Sequence, residues 1–541
     1  MKKYLSKFAL PLILILFGVF FSSPKFNWSI SVWLGTLASI YFFRQQKWWR
    51  ALLILLLPYI LVSFIANDGV IPFPQGPRFV LTIFLSLVGL LPFALDAWLA
   101  PRLPKWSGVL FLPACALVFN LLLSQGPTGA MGFMANTQVS IGLLMQWTAY
   151  IGIFGIGFLI YLSASVLYSL RERYLAKQGY AKGLLAFALG WAMILGFGAW
   201  RQYQGQQIIA QAPSVRVAAL TYETTPLLSA MYEAETGQQK QFSRTLNQTD
   251  PELLAIGQSA ILNFKDQAEA PQYQIVHEQS RQQFADILAQ SESAVRQGAK
   301  ILLTSEAEIT TTKARESFFI EATQAFAREH EVYFFLGLAS LLPDLQFPEH
   351  PFVENKILVV GPDGEILDTY YKNVPVEGAD PSVPGDGKLD VIETPYGRLS
   401  YAICYDTDFP QLIRQAGQQA VEILLVPTGD WYALSPYHTL AGNIRAIENG
   451  FSQVRAVSNG LSSAVDAFGH YHATDDFFAD EDHLMIVDVP IFHHPTFYSR
   501  WGDLVSPLSQ LILLLCALVL LKNYLRQKWQ RRDPKSSAKP A

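Results

Sequence analysis

The stretch LSYAICYDTDFP at residues 399–410 decides the fold of the polar part of this chain. Its first five residues have the composition of a buried strand, and this strand ends at Cys404. The pattern of a helix follows from Phe409 to Gln419. Because strands and helices alternate in the same way over residues 213–490, we expect an α/β layered domain there.

Cys404 is the single cysteine of this region, since Cys115 and Cys516 lie inside long apolar runs. A lone thiol has no partner for a disulfide within the domain, which leaves it as a candidate reactive residue. Two other predicted strands also end at reactive side chains, Glu306 in one case and Lys372, after a hairpin with the turn GPDG, in the other. Loops at strand ends are where rigid scaffolds usually hold catalytic groups.

Together these three side chains have the chemistry of nucleophilic catalysis. A thiol attacks as the thiolate, so it needs a base to take its proton and donors to hold the developing oxyanion. Glu306 is the candidate base, and Lys372 with the backbone N–H after Cys404 is the candidate for stabilising the oxyanion. Each residue alone also fits an ordinary structural role, and the hypothesis rests on the combination.

The rest of the chain has the composition of a membrane protein, with 51% hydrophobic residues and a mean hydropathy of +0.23. A helix needs roughly 20 apolar residues to cross the hydrocarbon core. Eight segments are candidates: 8–22, 28–43, 51–66, 79–99, 107–123, 138–168, 183–200 and 504–521. The first could instead be a signal peptide, but no small-x-small cleavage pattern follows it.

Basic residues predict the orientation of these spans, because Lys and Arg beside a span tend to stay cytoplasmic. They cluster in every second loop and again in the tail after the last span. We therefore expect a multi-pass protein of a bacterial inner membrane, with its globular domain on the periplasmic side. Four parts follow: a seven-span region at 1–203, the extracytoplasmic domain at 213–490, a C-terminal transmembrane helix at 504–521 and a basic cytoplasmic tail at 522–541.

Three motifs in the globular part, taken in order, resemble those of the nitrilase superfamily. They are ILLTSE at 301–306, NKILVVGPDGEILDTYYK at 355–372 and YAICYDTDFP at 401–410. The resemblance implies an αββα sandwich in which Glu306, Lys372 and Cys404 form a catalytic triad.

A nitrilase-like domain placed between seven spans and an eighth resembles the apolipoprotein N-acyltransferase family, as does the stretch QWTAYIGIFGIGFLI at 146–160. This resemblance implies transfer of an acyl chain from a phospholipid, through a Cys404 thioester, to the N-terminal amine of a diacylglyceryl-cysteine lipoprotein. No cofactor or metal is implied. Supporting roles are implied for Glu377, as a second glutamate, and for Tyr405, Asp406 and Trp431.

Some features are closer to soluble amidases. The cysteine motif has Asp406 where the acyltransferases usually have glutamate, and Thr304-Ser305 replaces the usual Trp-Pro before Glu306. A membrane-anchored amidase with the same triad and water as the acceptor is therefore the alternative. The polar insertion at 223–272 has no counterpart in the family and is either a lid or a surface loop.

Other classes of function fit less well. A net charge of −4 offers no field that would recruit nucleic acid. A transporter should have paired ionisable residues within its spans, and only Asp96 lies well inside one. Zinc is disfavoured because the late histidines match no metal-binding spacing: His470, His472, His483, His493 and His494.

Overall fold

The computed structural model of the protein describes residues 2–245, 247, 260–345, 349–479 and 482–532. Within these ranges, six helices are long and apolar enough to cross a membrane. They are Trp48–Ala66, Gln75–Arg102, Lys105–Ser124, Thr148–Leu175, Ala181–Ile209 and Val505–Trp529. The last of them belongs to a helix that runs over Val505–Arg532.

Two further apolar helices, Lys2–Phe21 and Ser29–Arg44, precede these six. They approach each other at Gly18 and Gly35, where a Cβ built on Gly18 would lie 2.7 Å from the Cα of Gly35. Only residues without a side chain permit two backbones to come this close. The eight-span count remains a prediction, since these two helices are not among the six.

One ionisable pair lies at the end of this bundle. Asp96 accepts hydrogen bonds of 2.6 and 2.7 Å from the guanidinium of Arg44, which also donates to the carbonyl oxygen of Gly108 at 3.1 Å. Asp96 is buried, so its charge is matched by a partner on a different helix. The pair ties three helices together.

The sixth predicted span, 138–168, begins later than its hydropathy indicates. Short helical turns at Met134–Ser140 and Gly142–Met145 come first, and the long helix is Thr148–Leu175. This helix is broken at Gly152, whose φ of 62° and ψ of 178° are open mainly to glycine.

Thirteen strands form two sheets in the described part of the globular domain. In chain order, β1 to β13 are Ser214–Leu220, Ile301–Thr304, Ile309–Thr312, Tyr333–Leu341, Val353–Val360, Ile366–Tyr371, Val391–Thr394, Gly397–Tyr401, Ile423–Gly429, Ser452–Ser458, Leu461–Val465, Tyr471–Asp476 and Leu484–Pro490. The first sheet has the order β13-β1-β2-β4-β5-β6, with β3 paired to β4, and the second has the order β12-β11-β10-β9-β8-β7.

The two sheets pack face to face around a common core. In β1, for example, Val217 and Ala219 belong to the inner core, whereas Ala218 and Leu220 belong to the outer one. This alternation follows from the two-residue period of a strand. The outer core of the first sheet is covered by helices Gln274–Arg296 and Glu316–His330.

Helices and turns complete the outer layers and the connections. They are Thr225–Thr236, Pro410–Gln418, Tyr437–Gly442, Ile444–Asn449 and Phe497–Trp501. The helix Thr225–Thr236 lies in the predicted insertion 223–272 and packs against the start of Gln274–Arg296, through Met231 and Val276. Residues 246 and 248–259 of that insertion lie outside the described residues, as do residues 533–541 of the predicted basic tail.

Candidate active site

Cys404 lies where β8 passes into a short 3₁₀ turn, Cys404–Asp408, ahead of the helix Pro410–Gln418. Its φ is 45°, a left-handed conformation that a residue with a side chain adopts at some cost. The Sγ atom lies 3.8 Å from the carbonyl oxygen of Gly429, at the end of the neighbouring strand β9. The turn thus presents the thiol at the edge of the second sheet.

Glu306 and Lys372 come to the same place from the first sheet. Lys372 follows β6 directly and donates a hydrogen bond of 2.7 Å from Nζ to Oε1 of Glu306, two residues beyond β2. The charge of the Glu306 carboxylate also acts on the thiol of Cys404 and raises its pKa. The structure therefore brings the three predicted residues together, although they are far apart in the sequence.

The Glu306 carboxylate is held by further donors. Its Oε1 accepts from Nδ2 of Asn355 at 2.8 Å, and its Oε2 accepts from the backbone N–H of Gly429 at 2.9 Å. Three N–H donors fix the carboxylate in one orientation. Such a group is placed to receive the thiol proton without first rearranging.

Lys372 has a second acidic partner, Asp380, whose Oδ2 lies 2.7 Å from Nζ. Burial alone would lower the pKa of Lys372, but the charges of Asp380 and Glu306 outweigh it and hold that pKa well above its usual value. Lys372 is therefore a permanent cation beside the thiol.

The thiol itself is protonated at rest. Burial, followed by the charge of Glu306, raises the pKa of Cys404 well above its ordinary value, and Lys372 offsets this only in part. A neutral thiol is a weak nucleophile, so attack must be coupled to transfer of its proton to a base. The geometry supplies Glu306 for this purpose and Lys372 for an oxyanion that forms next to Sγ.

Asp406, one of the residues predicted to support the site, fixes the position of the nucleophile turn. Asp406 accepts from the backbone N–H of Ile403 at 2.9 Å and from the backbone N–H of Val374 at 2.8 Å. It therefore connects the turn of Cys404 to the loop after Lys372. Burial raises the pKa of Asp406 to about 6.

Tyr405 and Trp431 connect the site to the membrane region. The hydroxyl of Tyr405 donates to the carbonyl oxygen of Pro127 at 2.8 Å, and the indole N–H of Trp431 donates to the carbonyl oxygen of Gly69 at 2.7 Å. Pro127 and Gly69 lie in two different loops that join apolar helices. The site thus faces the membrane helices.

Parts of this chain are similar to known proteins. The model of the carbon-nitrogen hydrolase family matches residues 268–491. The apolipoprotein N-acyltransferase of Rickettsia bellii is 30% identical over 150 residues, which are 27% of this chain and 28% of that protein. The enzyme of the same name from Gloeobacter violaceus is 33% identical over 127 residues, 23% of this chain and 24% of its own.

About a quarter of this chain is similar to the apolipoprotein N-acyltransferases. Its globular domain is of the carbon-nitrogen hydrolase, or nitrilase, type. This confirms the predicted fold class, a multi-pass helical membrane region joined to a nitrilase-like α/β sandwich. The matches span only about a quarter of the length of these relatives.

Among solved structures, an amidase from Nesterenkonia sp. is similar to this chain, with 20% identity and a TM-score of 0.36. The similarity covers 52% of this chain and 92% of the amidase.

The structure does not bring every predicted residue into the site. Glu377, the candidate second glutamate, is exposed, and the acidic side chain on Lys372 is Asp380 instead. Both residues lie in one loop, so the sequence does not reveal which of them turns inward. Asp380 thus gives the buried ammonium of Lys372 a second acidic partner beside Glu306.

A histidine that the sequence did not predict lies beside the nucleophile. The imidazole of His438 lies between Oδ1 of Asp430, 2.7 Å from Nδ1, and Oδ2 of Asp408, 2.9 Å from Nε2. Burial would lower the pKa of His438, but the charges of the two carboxylates outweigh it and raise that pKa to about 9. The only indication of this cluster in the sequence is that two acidic residues and a histidine fall within 31 residues, at positions 408, 430 and 438.

His438, Asp430 and Cys404 also have the side-chain types of a metal site, with ligand atoms within 4.8 Å of one another. However, both ring nitrogens of His438 already bind carboxylates. An imidazole held in this way has no free lone pair to offer a metal ion.

Proposed function

We propose that the protein is an N-acyltransferase that moves an acyl chain from a phospholipid to the N-terminal amine of a diacylglyceryl-cysteine lipoprotein. One observation carries the proposal: Cys404 lies with Glu306 and Lys372 on the side of the domain that is bound to the membrane loops. The names of the matched relatives support it. Because those relatives are named as acyltransferases, the amidase alternative is not favoured.

In the first half-reaction, Sγ of Cys404 attacks the ester carbonyl of the phospholipid while Glu306 takes the thiol proton. The tetrahedral oxyanion is stabilised by the Lys372 ammonium and by the backbone N–H of Tyr405. The C–O bond then breaks, and Glu306 returns the proton to the departing lysophospholipid oxygen. A thioester on Cys404 remains.

In the second half-reaction, the amine attacks the thioester carbonyl, and a C–N bond replaces the C–S bond. The amine gives up a proton through Glu306 to the leaving thiolate. Lys372 acts on the second oxyanion as it did on the first. The enzyme returns to its starting state with a neutral thiol.

A cavity in the membrane bundle supports a lipid donor. It has a volume of about 280 Å³ and is lined by apolar and small residues from several helices, and by the loop 128–134. In that loop the backbone N–H of Ala130 donates to the carbonyl oxygen of Asp408 at 2.7 Å, at the end of the nucleophile turn. We assign this cavity to an acyl chain of the donor.

The proposed location is the bacterial inner membrane, with the catalytic domain on the periplasmic side. The alternation of basic and neutral loops supports this orientation. The proposed division of the chain is 1–203, 213–490, 504–521 and 522–541. The strand bounds support its second part, because β1 begins at Ser214 and β13 ends at Pro490.

Mass spectrometry of the purified enzyme tests this function. After incubation with a phospholipid of defined chains, we expect a mass increase of one acyl group on the wild type and none on Cys404→Ala. Addition of a diacylglyceryl-cysteine lipopeptide should discharge the adduct and acylate the peptide. An adduct that survives in Cys404→Ala, or release of free fatty acid with an unmodified peptide, would contradict the proposal.

A further inference from the structure

A carboxylate outside the triad adjoins the nucleophile. Asp430 directly follows β9, and one of its carboxylate oxygens lies within 4.8 Å of Sγ of Cys404. Asp430 is 5% exposed, compared with 7% for Cys404. The two side chains therefore share one enclosed space.

Only one of the two oxygens of the Asp430 carboxylate forms a hydrogen bond among the residues that the structure describes. Oδ1 binds the ring of His438, whereas Oδ2 has no hydrogen-bond partner among the residues that the structure describes. Arg455 is the nearby cation, but its Nη atoms donate to Thr407 at 3.0 Å and to Thr428 at 3.1 Å. A buried carboxylate oxygen without a donor is costly, so this one is expected to meet a donor during the reaction.

The charge of the surroundings indicates the kind of donor. Acidic side chains outnumber basic ones around Cys404. The acidic ones are Glu306, Asp380, Asp406, Asp408 and Asp430, and the basic ones are Lys372, Arg455 and the protonated His438. A cation is favoured in such a site, and a further anion is not.

We propose that Asp430 binds the amino group of the acyl acceptor in its protonated form, through Oδ2. The proposal rests on the proposed function and names the contact that selects the acceptor. The next residue, Trp431, is bound to Gly69 in a loop between two apolar helices. The terminus of a membrane-anchored acceptor that enters from that side reaches Asp430 as it approaches Cys404.

The amino group of the acceptor loses two protons during transfer. The bound ammonium gives one proton to Asp430 and becomes a neutral amine with a lone pair. When this amine forms the C–N bond, its second proton passes through Glu306 to the sulfur as the C–S bond breaks. Asp430 releases its own proton to water after the amide product has left.

This contact also favours an amine over water. It holds one amino group next to the thioester carbonyl, which raises the effective concentration of the amine there. Water has no charge for Asp430 to bind. The carboxylate thereby favours transfer over hydrolysis of the thioester.

The experiment compares Asp430→Asn with Asp408→Asn in the full-length enzyme. Asparagine keeps the shape of the side chain and an oxygen for His438, but it removes the charge. Asp408→Asn removes the other carboxylate of His438 and leaves Oδ2 of Asp430 in place. Each variant is assayed for thioester formation with phospholipid, for the KM of a lipopeptide amine, and for transfer to hydroxylamine, which is neutral at pH 7.

For Asp430→Asn we expect the KM for the lipopeptide to rise at least about 10-fold, by more than any change in thioester formation or in transfer to hydroxylamine, because one charge of a desolvated pair is lost. For Asp408→Asn we expect a smaller rise. An unchanged KM in Asp430→Asn, or equal effects of the two variants, overturns the proposal. So does loss of thioester formation in Asp430→Asn alone. Absence of a thioester in the wild type would instead contradict the proposed function.

Discussion

The hydroxyl of Tyr405 donates a hydrogen bond of 2.8 Å to the carbonyl oxygen of Pro127. Tyr405 is the neighbour of the nucleophile, and Pro127 follows the apolar helix Lys105–Ser124. The turn that carries Cys404 is therefore fixed to the membrane region by this side chain, in addition to the hydrogen bond from Ala130 to Asp408. Movement of that loop changes the position of the thiol directly.

Tyr405→Phe tests this connection. Removing the hydroxyl leaves a carbonyl oxygen without its donor, so we expect the free energy of unfolding to fall by about 1 kcal/mol. Thermal unfolding in detergent measures the change. Tyr432→Phe is the control, because Tyr432 is half exposed and keeps its ring contact with Phe478. If the two variants unfold at the same temperature, the hydrogen bond of Tyr405 contributes nothing to stability.

Lys372→Met should abolish most of the thioester formation. The variant keeps the apolar stem of the side chain but removes the ammonium that stabilises the oxyanion, and we expect a rate reduced by about 100-fold or more. Lys388→Met is the matched control, since Lys388 lies further along the same connection and is exposed. Acylation of Lys372→Met at close to the rate of the control would exclude the proposed role.

Gly152→Ala should destabilise the contact between the broken helix and the domain. Its φ of 62° disfavours a side chain, and a Cβ there would lie 2.5 Å from Cε2 of Tyr498. We expect the free energy of unfolding of Gly152→Ala to fall by about 1–3 kcal/mol. Gly190→Ala provides the comparison, because nothing lies within 4 Å of a Cβ at Gly190. The expectation fails if both variants unfold at the temperature of the wild type.

Stability should depend on pH through His438. Its pKa is about 9 in the folded protein against an ordinary value of 6.5, so the folded state binds the proton more tightly than the unfolded state. The contribution is complete below pH 6.5 and is lost as the pH rises through about 9. Thermal unfolding across this range should show a decline in the wild type that is absent from His438→Gln. Parallel curves for the two proteins would show that His438 is not charged.

The strands that carry the triad follow from the sequence for simple physical reasons. Apolar runs before Glu306 and Cys404 are short and bounded by polar residues, so they predict strand ends without knowledge of the partners. The strand β3 was not predicted, because ITTT at 309–312 is not apolar and pairs only through its position beside β4. The segment is a strand because it pairs with β4 in the folded protein and not because of its composition.

The cluster of Asp408, Asp430 and His438 was beyond prediction for a different reason. Its members come from the nucleophile turn, the end of β9 and the helix Tyr437–Gly442. Their charges become significant only when burial removes water from all three at once. Similarly, Asp380 rather than Glu377 meets Lys372 because of how one loop folds, which no local pattern records.

Glu448 of the globular domain accepts a hydrogen bond of 2.7 Å from the backbone N–H of Ile153, directly after the break at Gly152. Ile153 is synthesised almost 300 residues before its partner. During biosynthesis the later part of that span therefore inserts with an amide whose acceptor does not yet exist. The amide of Ile153 therefore gains its acceptor only once the globular domain has folded.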